Sequence, residues 1–81
     1  MISCSNYDYI EIACMYKYPV EITLESGHHV VGKAIDTARN QQSEECIKVK
    51  NEYGDLLVVL DSISRLKVTI DNPHFDEVLF D

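Results

Sequence analysis

At Pro19 the spacing of apolar residues in this chain changes from helical to alternating, and few architectures accommodate both halves. Before Pro19, the apolar residues Ile10, Ala13 and Cys14 fall at i, i+3 and i+4, one narrow face of a helix. Ser5 reads as its N-cap, with Asp8 three residues on completing a capping-box-like pattern. Asp8 and Glu11 would also favour the positive end of the helix dipole. The residue before a proline avoids helical angles, so a helix over about 6–16 is expected to stop there.

Beyond Pro19 the period is two. Val20, Ile22 and Leu24 alternate with Glu21, Thr23 and Glu25, the pattern of a half-buried strand. Ser26-Gly27 supplies a turn, and residues 29–37 read as a second strand with Gly32 marking a bend or bulge. A polar loop over 38–44 precedes a third strand, Glu45–Asn51, and a hairpin turn at residues 52–55. Leu56 to Leu60 is nearly continuous in apolar residues, which predicts a fourth strand buried on both faces or centrally placed. After the brief Asp61-Ser62 turn, Ile63 to Ile70 reads as a fifth strand with Ile63, Leu66, Val68 and Ile70 inside. Asp71-Asn72-Pro73 breaks the sheet, and residues 78–80 suggest a short edge strand.

The resulting expectation is a mainly β protein, one domain over 1–81. A helix over about 6–16 precedes a five- to six-stranded, strongly bent antiparallel barrel over about 20–70, with a short strand or tail at 71–81. The strand count fits a Sm-like or an OB-like arrangement; the tight link at Asp61-Ser62 favours the Sm-like one.

Charge narrows the function. Fourteen acidic residues against seven basic ones give a net charge of −7. Phosphate binding depends on Lys and Arg releasing counterions, so direct nucleic-acid binding is disfavoured and a basic protein partner is better matched. An acidic surface also simply aids solubility. Cys4, Cys14 and Cys46 are an odd set without the short-spaced pairs of a zinc site, and no disulfide is implied. The start of the sequence lacks a signal-peptide pattern, and no run approaches the ~18 apolar residues that suggest a membrane span. No nucleophile–base grouping or phosphate-cradling glycine loop occurs, and His28, His29 and His74 read as turn or loop residues.

Residues Ile2 to Cys14 match a specific pattern, I-x-C-x-x-Y-D-x-(I/L)-E-(I/L)-A-C, at every fixed position. Leu24, Gly27, Ala34 and Asp36 keep further spacings, and Leu60-Asp61-Ser62-Ile63 is similar to a Leu-Asp-Lys-Ile connection. On these residues the chain resembles the Rho-binding antiterminators, the Rof or YaeO family, from Ile2 to about Ile70. The resemblance implies a Sm-type barrel with an N-terminal helix, in the bacterial cytoplasm. It implies a protein that binds the N-terminal domain of the termination factor Rho at its primary RNA-binding site, with neither catalysis nor metal nor cofactor. Tyr7, Asp8 and Glu11 would make the central contacts, carboxylates meeting Arg or Lys of Rho. The loop after the second strand, Arg39, Asn40 and Gln41, would add to them. That loop departs from the family pattern in being less basic, with Glu44 and Glu45 following Arg39. The other reading is a Sm-like or OB-like RNA-binding module, against which the charge argues.

Overall fold

The computed structural model describes residues 3–80. Ile2, the first fixed position of the N-terminal pattern, and Asp81 of the acidic tail lie outside them. Helix α1 spans Cys4–Met15 and buries Ile10, Ala13 and Cys14, the stripe the spacing predicts. Its N-cap is Ser3 rather than Ser5: the Ser3 hydroxyl accepts the Asn6 N–H at 3.2 Å. This earlier start moves Asp8 and Glu11 past the first turn, which holds no acid. They are therefore neither caps nor partners of the dipole end.

The helix also ends before Pro19 can act. Tyr18 N–H donates to the Ala13 carbonyl at 3.0 Å and Lys17 N–H to the Cys14 carbonyl at 3.2 Å. This pair of bonds is a Schellman motif, and it requires a left-handed residue at Lys17, whose φ is 53°. Pro19 opens the first strand instead.

Six strands follow: β1 Pro19–Leu24, β2 His29–Arg39, β3 Glu45–Asn51, β4 Gly54–Val59, β5 Ile63–Val68 and β6 Glu77–Leu79. All pairings are antiparallel, in the order β4-β3-β2-β1-β5-β6. A 3-10 turn, Leu60–Ser62, links β4 to β5. That link forces the sheet to roll up. In a flat sheet β4 and β5 would stand four strand spacings apart, about 19 Å at ~4.8 Å each. The four residue steps from Val59 to Ile63 span at most about 14 Å. The strongly bent, mainly β architecture expected from the sequence is what the structure has.

Gly32 permits the curvature by close approach. A Cβ there would stand 2.6 Å from the Lys50 carbonyl oxygen and 2.7 Å from Val49 Cγ1. The register irregularity itself lies between Ala34 and Asp36. Inside the curl, Val20, Ile22, Ile47, Val49, Leu60, Ile63 and Leu66 pack with the helix stripe.

Two expectations are corrected. β4 is an edge strand, and Leu56 and Leu57 are 40% and 46% exposed, not buried on both faces. The fifth strand stops at Val68, so Ile70 lies beyond the sheet and is 48% exposed. The segment after β5 instead ties back to the helix. Asn72 Oδ1 accepts the His74 and Phe75 N–H groups, and its amide donates to the Ile70 and Phe75 carbonyls. Phe75 meets Tyr9 edge-on at 4.9 Å, His74 stacks on Tyr16 at 4.5 Å, and Tyr18 Oη lies 2.8 Å from His74 Nδ1. Phe80 is buried behind β6.

Candidate protein-binding site

The start of α1, the end of β2, the loop before β3 and the 3-10 turn meet around a cleft of about 650 Å³. Ser3, Cys4, Tyr7 and Asp8 form the helix side. Arg39, Ser43, Glu44 and Glu45 form the loop side, and Val59 and Asp61 close the third. The helix reaches this position because its buried stripe packs on the core, and Tyr7 packs partly against that core as well. One wall is thus a half-buried aromatic ring while the rim carries carboxylates.

Of the six residues expected to contact a partner, the cleft gathers Tyr7, Asp8 and Arg39. Glu11 is exposed three residues further along α1 and lines no part of it. Arg39 does not present a free cation: it donates to the Ser43 carbonyl at 2.7 Å and to Glu45 Oε1 at 3.2 Å. Asn40 is occupied in shaping the loop. Its Oδ1 accepts the Gln42 and Glu44 N–H groups, both at 3.0 Å, and its amide donates to Glu44 Oε1 at 3.0 Å. Gln41 is exposed at the loop tip. Ser43, with φ 64°, completes the turn.

Sequence reasoning missed Asp61 and undervalued Glu44 and Glu45. These three join Asp8 in lining the cleft, so four carboxylates share it with one guanidinium that Glu45 already engages. Only the fold brings them together, because α1, the loop and the turn are far apart in sequence. The Leu-Asp-Ser-Ile link was the one signal for Asp61.

Two of the three thiols are shielded by burial. All three cysteines are free; Cys14 and Cys46 are buried and Cys4 is exposed at the cleft. Burial, then the nearby Asp36 carboxylate, pushes the Cys14 thiol up to about 11. Burial also raises Cys46 and Tyr18 above their ordinary values. Among the described residues no three His, Cys, Asp or Glu side chains converge as a metal site. No helix among them is long and apolar enough to cross a membrane.

Fold and site together define a small helix-led β protein of acidic composition with a cleft walled by tyrosine and carboxylates. The sequence model of the family described as "Modulator of Rho-dependent transcription termination (ROF)" matches residues 1–80. The chain belongs to that family. A solved structure described as "YaeO bound to Magnesium from Vibrio cholerae O395" is similar at 40% identity and a TM-score of 0.90, covering 93% of this chain and 97% of that one. No curated protein sequence matches.

Proposed function

We propose that this chain inhibits Rho-dependent termination by occupying the primary RNA-binding site on the N-terminal domain of Rho. The observation that carries this reading is the convergence of Asp8, Glu44, Glu45 and Asp61 around Tyr7. A site that holds single-stranded RNA needs cations along the backbone path and faces on which bases stack. Carboxylates beside an aromatic ring satisfy both demands without RNA. Charge-assisted bonds from Arg or Lys of Rho to these carboxylates would be stronger than neutral ones. Asp8 and Glu11, freed of any capping duty, stand one turn apart and extend the acidic surface along α1.

The action is binding, not catalysis, and no step uses the magnesium named for the Vibrio cholerae protein. It belongs to the cytoplasm, where Rho meets nascent transcripts. Arg39 and Asn40 contribute by holding the loop that presents Glu44 and Glu45, and Gln41 contributes from its exposed tip.

Transcription in vitro across a Rho-dependent terminator tests the proposal. Adding the wild-type chain should give read-through, and Asp8→Lys with Glu11→Lys should restore termination. Full termination in the presence of excess wild-type chain would overturn it.

A further inference from the structure

β4 closes one end of the sheet and, among the described residues, pairs only with β3, so one side of its main chain offers N–H and C=O groups that no described strand pairs. Natural edges are blunted by proline, lysine or bulges. β4 has no proline or lysine, and its register with β3 is unbroken. The opposite edge differs: β6 is three residues long, and its Glu77 is engaged by Arg65 at 3.5 Å.

Beside β4 lies a group of three lysines that form no ion pair among the described residues. Directly opposed residues of antiparallel strands share a face, which places Lys33 against Lys50 and Lys48 against Leu57 on one side of the sheet. Like charges directly opposite are destabilising. Even so, none of these three lysines, out of seven basic residues in the chain, makes an ion pair among the described residues. Asp36 stands opposite Lys48 and Asp55 opposite Lys50, leaving Lys33 as the surplus cation, yet neither acid comes within ion-pair distance of a lysine; Asp36 accepts the Thr37 N–H instead. The exposed Leu57 and, on the other side of the sheet, Leu56 add uncovered apolar area along the same edge.

We propose that this edge takes an extended, acidic segment of a partner protein as a seventh strand. Main-chain hydrogen bonds to β4 supply the general affinity, and alternate side chains supply the selection. An acid opposite Asp55 would be repelled. The favoured register therefore sets a glutamate opposite Leu57, from where it reaches Lys48, and apolar residues on the side of Leu56. Single-stranded RNA would find the same lysines and the exposed Tyr53. It would leave the edge groups of β4 unpaired and meet a chain of net charge −7, so the peptide is favoured. The surface meets the cleft at Val59, which lines it, and runs away from there: Lys50 lies five residues along β3 from Glu45, about 17 Å.

The test is a titration of the isotopically labelled full chain, followed by amide NMR. The probes are a ten-residue peptide of threonine and valine with a single central glutamate, the same peptide with lysine in place of the glutamate, and a ten-nucleotide uridylate. The glutamate peptide should shift and protect amides of residues 54–59, with affinity at least tenfold above the lysine peptide. Lys48→Glu with Lys50→Glu should remove that preference while RNA displacement from Rho persists, which separates this proposal from the Rho reading. Leu57→Glu, a change at an exposed position that sets an acid directly opposite the partner's glutamate, should weaken the glutamate peptide independently. Shifts absent from β4, equal binding of the lysine peptide, or uridylate binding in place of the glutamate peptide would each overturn the proposal.

Discussion

Lys17 sits in the left-handed region with φ 53°, where a Cβ is strained and glycine is not. Lys17→Gly should therefore stabilise the chain by about 0.5 kcal/mol, visible as a melting temperature higher by a few degrees. Gly32 is the reverse case. Gly32→Ala drives a methyl into the Lys50 carbonyl oxygen at 2.6 Å, and a denaturant melt should show a loss of about 1–3 kcal/mol. The thiols give a pH signature. Cys14 has its thiol pushed up to about 11 by burial, so the folded state holds the proton more tightly than the unfolded chain does. Its contribution to stability is complete below the unfolded value near 9 and is lost as pH rises from there through 11. Replacing Cys14 with alanine should flatten that alkaline decline in pH-dependent melts. In the native protein at neutral pH a thiol reagent should modify Cys4 first, since the other two are buried.

The segment after β5 acts as a strap across elements, holding α1 through Tyr9, Tyr16 and the Tyr18–His74 bond. His74→Ala strands the hydroxyl of the buried Tyr18 and should cost about 1–2 kcal/mol. Hydrogen exchange should then show faster opening at residues 77–79. At this scale the sequence was informative where burial and periodicity coincide. β3 runs over the predicted Glu45–Asn51, and the helix stripe of Ile10, Ala13 and Cys14 is buried as spaced. The continuous apolar run in β4 misled because it reflects one buried residue, Val58, beside two leucines left at an open edge. Ile70 misled for a related reason: alternation continues to Ile70, but the pairing with β1 ends one residue earlier, where the Thr69 N–H donates to the Pro19 carbonyl at 3.0 Å. The site was half legible. Tyr7 and Asp8 stood in a recognisable helix pattern, whereas Asp61, Glu44 and Glu45 join them only through the rolled sheet. Asp61→Lys should accordingly weaken inhibition of Rho even though it lies outside the helix, which a dose–response of terminator read-through would show.

Taken whole, the molecule is a small acidic body with a radius of gyration of 11.4 Å and a net charge of −7. On the proposed function its encounter with a cationic groove would be steered by that field, which is screened over about 10 Å at 0.1 M salt. Association with Rho should slow steeply as salt rises from low to physiological strength, with the dissociation rate changing less; stopped-flow mixing measures both. The most direct measurement is displacement of a fluorescent cytidine-rich RNA from the primary site of purified Rho, read by anisotropy. Increasing amounts of the wild-type chain should release the RNA completely, while the chain carrying Asp8→Lys and Glu11→Lys should leave it bound. RNA that stays on Rho at saturating wild-type chain would contradict the account.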